Sequence, residues 1–358
     1  MLFDPLESRA LHLRNRLVMS PMTRNRAVEA NTPNALMVDY YRQRATAGLI
    51  ITEGTSPSPD GLGYPRIPGL FNDAQVRGWK AVTDAVHAEG GRIFIQFMHT
   101  GRVAHPANLP AGARVVGPMP EPCPGDIYTD TMGMQPHGAP HAMTPDDIAR
   151  CVEEFTHASR LAVEAGFDGV ELHAANGYLI EQFLNANVNR RNDGYGGSPD
   201  GRNLFAIEVA RSCVAAIGAD RVGIRLSPFG VFNSTGAFPD VETQYVALAR
   251  ALSGLRLAYI HVLDHSAMGA PPVPPALKAA LRKAFDGVYI AAGGFDRDSA
   301  EKMLADGSAD LIAFGRPFLA NPDLVTRLRA GAPLNAPDAT TFYTPGQKGY
   351  TDYPRWAA

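Results

Sequence analysis

The sequence has few cysteines, no cluster of like charges and no long apolar run. Its three cysteines, Cys123, Cys151 and Cys213, form no CxxC pair, so neither a disulfide framework nor a zinc site is indicated. The 33 basic and 36 acidic residues nearly cancel, and binding to nucleic acid or to an anionic membrane is not expected. The first residues show neither the basic nor the apolar region of a signal peptide, and no apolar run approaches the roughly 18 residues that cross a bilayer. We therefore expect a cytoplasmic protein without a nucleic-acid or membrane partner.

Glycine and proline are abundant instead. The chain of 358 residues contains 35 glycines and 29 prolines, well above the roughly 12% that is typical of proteins. This excess stays below the composition of a low-complexity chain, so it indicates many loops and specialised turns. The length allows about two ordinary domains or one large α/β barrel.

Eight short apolar runs recur along the chain and mostly lack strict alternation, which is typical of strands buried on both faces of a parallel sheet. They cover residues 17–20, 48–52, 92–97, 169–173, 222–226, 258–262, 288–291 and 310–314. Helical spacing is clearest after Thr144, where a capping residue, Pro145 and two acidic residues predict a helix start. Further predicted helices cover residues 202–217, 241–252, 276–284, 298–305 and 323–329.

Strands that alternate with helices predict an α/β fold, a TIM (β/α)8 barrel. The alternative is a doubly wound open sheet, but no GxGxxG sequence follows the first strand. A long, proline-rich segment, residues 100–143, follows the third predicted strand. It could be a poorly ordered linker, but a long loop after a barrel strand lies at the catalytic face. We therefore expect this capping segment, with a short hairpin, to cover the active site of a single domain, residues 1–358.

Polar residues follow several predicted strands, at the end of the barrel where such enzymes carry their chemistry. His173 and Asn176 can donate hydrogen bonds to one oxygen, and the Tyr178 hydroxyl can give a proton to a carbanion. A buried structural role is the alternative for His173 alone. No GxSxG, HExxH or spaced carboxylate cluster is present, so a hydrolase is not indicated and no metal is expected.

A second set of residues predicts an anion site. Gly293 and Gly294 follow the seventh strand, and Gly315 and Arg316 follow the eighth, where barrels commonly hold phosphate. The alternative is that these glycines merely shorten turns. Arg225 and Gln96, at the ends of two other strands, could contact a flat polar group such as a flavin ring.

Longer motifs resemble the old yellow enzymes, a family of FMN-dependent ene-reductases. They cover residues 2–6, 15–24, 63–64, 68–69, 99–102 with Gln96, 166–179, 193–198, 225–228, 314–316 and 349–354. In this order, over nearly the whole chain, these motifs are very specific. The sequence looks closest to the bacterial N-ethylmaleimide and pentaerythritol tetranitrate reductases.

The resemblance implies a barrel that binds FMN non-covalently and takes electrons from NAD(P)H. The residues implied at the flavin are Pro21, Met22, Thr23, Gly54, Gln96, His173, Arg225, Gly293, Gly294, Gly315 and Arg316. Those implied at the substrate are Tyr64, Met98, His173, Asn176, Tyr178 and Tyr343. Met98 replaces a tryptophan that is common in the bacterial subgroup, and position 176 often carries histidine there.

The resemblance also implies the reaction. A hydride from flavin N5 and a proton from Tyr178 would reduce the C=C bond of an α,β-unsaturated carbonyl or nitro compound, whose oxygen would lie against His173 and Asn176. The alternative on the same site is reduction of nitrate esters or nitroaromatics. An aldolase-type barrel would need a lysine at a strand end, and none of the eight ends carries one. We expect a monomer or a weak homo-oligomer.

Overall fold

The computed structural model describes residues 1–357 and contains a closed barrel of eight parallel strands. The strands are β1 (Leu17–Met19), β2 (Leu49–Thr55), β3 (Ile93–Phe97), β4 (Gly169–Ala174), β5 (Val222–Leu226), β6 (Tyr259–Leu263), β7 (Val288–Ala292) and β8 (Leu311–Phe314). Every residue of these strands is buried, because helices cover the sheet outside and side chains fill it inside. The predicted TIM barrel and its eight strands are therefore confirmed.

The helices of the described chain surround this barrel. They are α1 (Ala35–Gln43), α2 (Asp73–Ala88), α3 (Pro145–Glu164), α4 (Leu179–Leu184), α5 (Pro199–Ile217), α6 (Val241–Gly254), α7 (Pro275–Ala284), α8 (Arg297–Ala305), α9 (Arg316–Ala320) and α10 (Leu324–Ala330). The predicted start of α3 is confirmed by a capping box between Thr144 and Asp147.

The sequence patterns did not predict α1, α2 or the short helix α4. In α2, the buried face includes Gln75 and Thr83, which interrupt its apolar periodicity. Both are satisfied by long-range hydrogen bonds: Gln75 donates to the Ala30 carbonyl and Thr83 to the Ala165 carbonyl. Partners of this kind lie outside any local window, so a local pattern cannot identify such residues as buried.

The capping segment folds over the barrel mouth. Its strands Asp126–Thr129 and Gly133–Pro136 form an antiparallel hairpin, and Val116–Gly117 pairs in parallel with His141–Ala142. The Cys123 thiol donates to the carbonyl of Asn233, in the loop after β5, at 3.6 Å. This anchoring confirms an excursion after β3 that covers the site, and the alternative of a poorly ordered linker is not supported.

The opposite end of the barrel is closed by a small hairpin of Leu6–Glu7 and His12–Leu13. Its leucines pack against barrel residues that include Val18, Leu49 and Phe94. Access to the barrel interior is therefore confined to the end at which the strands finish. Within residues 1–357, no helix combines the length and the apolar character needed to cross a membrane.

Candidate active site

The polar residues singled out from the sequence lie on adjacent strands at the barrel mouth. His173 of β4 is paired in register with Arg225 of β5. Gln96 of β3 is in register with Gly54 of β2 on one side and with Glu171 of β4 on the other. Glu171 and His173 lie two positions apart on β4, so these pairings form two successive rows whose β4 side chains point to the same face of the sheet. The polar side chains of the two rows, Gln96, Glu171, His173 and Arg225, are called the polar layer below.

A buried carboxylate orients Gln96 within this layer. Glu171 accepts a hydrogen bond of 2.8 Å from the Gln96 amide nitrogen and one of 2.8 Å with Nδ1 of His261, which lies on β6. This bond uses one of the two N–H groups of the Gln96 amide and leaves its carbonyl oxygen able to accept a hydrogen bond from the N–H of a ligand. Glu171 and His261 were missed in the sequence because residues inside strands are expected to be core. The available signal was a charged residue in an otherwise apolar strand.

Arg225 and His173 carry buried nitrogens that lack a hydrogen-bond partner within residues 1–357: Nε of Arg225 and Nδ1 of His173. Burial lowers the pKa of both groups, and the Arg225 charge lowers that of His173 further, so the imidazole is neutral. Unpaired buried polar atoms are costly. The pair therefore fits a ligand with polar atoms at the edge of a flat ring, as a flavin has.

Tyr178 lies against His173 of this layer. Its ring meets that of His173 edge to face at 4.9 Å, and its hydroxyl lies 3.2 Å from the hydroxyl of Tyr64. Burial raises the pKa of Tyr178 to about 12. The hydroxyl therefore stays protonated at neutral pH, as a proton donor must.

Asn176 follows β4 in a left-handed conformation, with φ of 60°. Its backbone N–H donates to the Ser227 hydroxyl at 2.9 Å, and Ser227 in turn donates to Glu181 at 2.9 Å. Glu181 also accepts a hydrogen bond from the N–H of Gly177. Burial raises the pKa of Glu181 to about 7. Ser227 and Glu181 were not predicted as site residues, since nothing local in the sequence links them to Asn176.

The three residues implied as pocket walls occupy different environments. Met98 is almost fully buried, in a cluster with Leu62 and Ile67 against which Tyr64 and Tyr178 pack. Tyr64 is half-buried, whereas the Tyr343 side chain is 61% exposed, near the C-terminus. Burial raises the pKa of Tyr64 and Tyr178, and the nearby Tyr343 adds to the rise. The structure therefore brings all three close to Tyr178 or its cluster.

The predicted anion site lies at the ends of β7 and β8. Gly293 and Gly294 have φ values of 149° and 76°, and a Cβ on Gly294 would lie 2.5 Å from the Cβ of Ala267. A Cβ on Gly315, by contrast, would meet nothing closer than Met22 Sδ at 3.8 Å. The described protein atoms therefore leave room for a Cβ at position 315, which fits close approach of a ligand.

Three other predicted residues border this region. Pro21 is buried, and Thr23 is partly exposed where the chain leaves β1. Arg316, the first residue of α9, is exposed. These positions leave the Thr23 hydroxyl and the Arg316 guanidinium accessible to a ligand.

Three potential metal ligands, His99, Cys151 and Glu154, lie within 4.8 Å of one another elsewhere in the protein. Nδ1 of His99 accepts a hydrogen bond of 3.1 Å from the Gly101 N–H, and burial lowers the pKa of the ring to about 3. The remaining ring nitrogen of the neutral imidazole therefore carries the proton and does not offer a lone pair. The absence of a metal requirement stays a prediction.

Comparison with known proteins identifies a family and similar relatives for this chain. The sequence profile of the NADH:flavin oxidoreductase / NADH oxidase family matches residues 1–335. A probable flavin mononucleotide-dependent alkene reductase of Leishmania infantum is 42% identical over 361 residues, which cover 99% of this chain and 97% of that protein.

Two solved structures are similar over almost their full length. Morphinone reductase in complex with tetrahydroNAD has a TM-score of 0.94 at 42% identity, covering 99% of this chain and 98% of that one. The old yellow enzyme homologue of Zymomonas mobilis has a TM-score of 0.94 at 39% identity, covering 99% of both chains. The chain therefore belongs to the old yellow enzymes of the NADH:flavin oxidoreductase / NADH oxidase family, FMN-dependent oxidoreductases with a nicotinamide reductant.

Proposed function

We propose that this enzyme reduces the C=C bond of α,β-unsaturated carbonyl or nitro compounds, with NAD(P)H as the electron source. The observation that carries the proposal is the grouping of His173, Asn176 and Tyr178 at the end of β4. Two of them can donate hydrogen bonds to an oxygen, and the third carries a hydroxyl that is protonated at neutral pH. The Leishmania infantum relative, described as a probable alkene reductase, supports this reaction type.

The residues that would hold FMN form two groups. Arg225, Gln96, Gly54 and Thr23 would contact the ring system, with Pro21, Met22 and His173 beside them. Gly293, Gly294, Gly315 and Arg316 would hold the phosphate. FMN, when bound, supplies the hydride that the substrate receives.

The oxygen of the substrate would lie between His173 and Asn176. Negative charge develops on this oxygen as the β-carbon is reduced, and donors that are already oriented stabilise such charge most effectively. His173 is neutral and donates one N–H, while Asn176 donates from its amide nitrogen. The backbone of Asn176 is held through Ser227 and Glu181, so the loop that carries its amide need not move during the reaction.

Tyr178 would deliver the proton to the α-carbon. Its hydroxyl is held beside that of Tyr64, and its raised pKa keeps it in the donor form. A positioned general acid typically contributes a factor of about 10² to 10⁴ in rate.

The test is anaerobic turnover of the FMN-loaded protein with NADPH and 2-cyclohexen-1-one. We expect bound flavin, NADPH consumption and an equal amount of cyclohexanone. A parallel assay with a nitrate ester measures nitrite release. Protein that stays colourless after reconstitution with FMN, or that releases nitrite but forms no cyclohexanone, would contradict the proposal.

A further inference from the structure

His265, in the loop after β6, contacts the amide of Asn176. Nε2 of His265 lies 2.9 Å from Oδ1 of Asn176, and the imidazole is buried, with 2% exposure. The two residues are 89 positions apart in the chain, and their strands are separated by β5 in the barrel. No sequence motif identified His265, so this contact is visible in the folded protein alone.

The chemistry of the two side chains fixes the orientation of the amide. Burial lowers the pKa of His265 to about 4, so the ring is neutral and carries one N–H. Nδ1 of the ring is buried without a hydrogen-bond partner in the part of the chain that the structure describes. The proton therefore belongs on Nε2, which donates to the carbonyl oxygen of Asn176. The amide nitrogen of Asn176, with its two N–H groups, is left for another acceptor.

The loop that carries His265 is itself held in place. The Asp264 carboxylate accepts hydrogen bonds from the N–H of Ser266 at 2.9 Å and of Val273 at 3.3 Å, and it forms a salt bridge with Lys278. Phe232 packs on the imidazole with ring centroids 4.7 Å apart. The histidine is therefore fixed from its own side, without help from Asn176.

The backbone of Asn176 is likewise held without His265. Its N–H donates to Ser227 at 2.9 Å, and its carbonyl accepts a hydrogen bond of 2.7 Å from the Asn233 side chain. Loss of the His265 imidazole should therefore leave the loop after β4 in place and free only the rotation of the Asn176 amide. Substitution of His265 should therefore change the orientation of the Asn176 amide without changing the support of the loop after β4.

We propose that His265 is a positioning residue that turns the donor face of Asn176 toward the substrate. The inference rests on the proposed function, in which Asn176 binds the substrate oxygen. An amide held in this orientation offers donors and no acceptor. The site then favours substrates that present a carbonyl or nitro oxygen and disfavours those that present a hydroxyl donor at that point.

The test is a double-mutant cycle on the FMN-loaded enzyme. The variants are His265→Phe, His265→Gln, Asn176→Ala and the double variant His265→Phe/Asn176→Ala. Each is photoreduced and mixed anaerobically with 2-cyclohexen-1-one in a stopped-flow instrument, and the rate of flavin reoxidation is measured. Because the flavin is reduced by light, the measured rate does not depend on the reaction of the flavin with the nicotinamide.

We expect His265→Phe to lower the second-order rate constant about tenfold, the effect of one lost hydrogen bond. His265→Gln retains an N–H donor and should recover most of the rate. In the Asn176→Ala background, His265→Phe should change the rate less than about twofold, because the amide through which His265 acts is absent.

A wild-type rate for His265→Phe would overturn the inference and leave the proposed function intact. A further tenfold loss in the Asn176→Ala background would do the same. If His265→Phe does not fold, the His265→Gln variant still tests the inference. If His265→Gln binds FMN normally but is as slow as Asn176→Ala, the inference is also wrong. Wild-type enzyme that the enone does not reoxidise would contradict the proposed function and, with it, this inference.

Discussion

The two sides of the barrel mouth are constructed differently. On the side of β4 to β6, His173 is buried and Asn176 is fixed by bonds from three directions. On the side of β7 and β8, Gly294 and Arg316 are exposed, and a Cβ at position 315 would meet only ordinary contacts. The first side is ordered by contacts within the protein, whereas the second presents mainly backbone and one exposed charge.

This difference matches what each side is proposed to bind. The charge on a reacting oxygen exists only briefly, so donors that wait in the correct orientation have the greatest effect on rate. A phosphate keeps its charge throughout, and an exposed guanidinium can close on it after binding. We therefore expect changes on the β4–β6 side to act on rate, and changes on the β7–β8 side to act on FMN affinity.

The largest expected effect is on rate. Tyr178→Phe should slow the reoxidation of reduced flavin by 2-cyclohexen-1-one about 10² to 10⁴ fold and leave flavin reduction by NADPH nearly unchanged, because the proton donor acts only in the second half-reaction. Stopped-flow absorbance measures both. Tyr128→Phe, on the exposed hairpin, is the control and should match the wild type. Equal losses in the two half-reactions would refute the role of Tyr178.

Next in size is a stability effect on the β4–β6 side. Burial raises the pKa of Glu181 in the folded protein to about 7, above its ordinary value of 4.5. The folded state therefore binds more protons than the unfolded state between these values, and the free energy of unfolding falls as pH rises through this window. Glu181→Gln should remove this fall, roughly 3 kcal/mol in total.

Chemical denaturation of wild type and Glu181→Gln at pH 4.5, 6 and 8 measures this difference. The variant should lose less stability than the wild type between the first and the last pH. Other groups titrate in both proteins. The pH dependence of the stability difference between wild type and variant therefore reports the titration of Glu181. A difference that does not vary with pH would show that Glu181 does not titrate in this window.

On the other side of the mouth, Arg316→Ala should weaken FMN binding about tenfold, the effect of one exposed charge-assisted contact. Riboflavin, which has no phosphate, should bind the variant and the wild type equally. Arg211→Ala removes an exposed arginine of α5 and serves as the control. Titration by flavin fluorescence measures all affinities, and an equal loss for riboflavin would place Arg316 at the ring instead.

The smallest expected effects separate two glycines. Gly315→Ala should leave the stability of the FMN-free protein unchanged, since its Cβ meets only ordinary contacts, and should weaken FMN binding a few fold. Gly294→Ala should destabilise the FMN-free protein by about 1 kcal/mol or more, because its φ is 76° and Ala267 is too close. Thermal unfolding without FMN distinguishes the two. Equal destabilisation would remove the argument for a ligand beside Gly315.

Features formed by residues close together in the chain were predicted from the sequence, whereas contacts between distant residues were not. The eight strands and the group His173, Asn176 and Tyr178 are contained in short stretches, and both were predicted. Glu171 and His265 act through partners that lie 75 and 89 positions away in the chain. Their roles depend on where the closed barrel places each strand and the loop after it, so no local motif could have shown them.

The contrast between the two sides is tested most directly by a crystal structure of the FMN-loaded enzyme with 2-cyclohexen-1-one. The account predicts the ketone oxygen within hydrogen-bond distance of His173 and Asn176, with the His265 contact to Asn176 retained. It also predicts the FMN phosphate among Gly293, Gly294, Gly315 and Arg316. A ketone oxygen that contacts neither His173 nor Asn176, or a phosphate bound on the β4–β6 side, would contradict it.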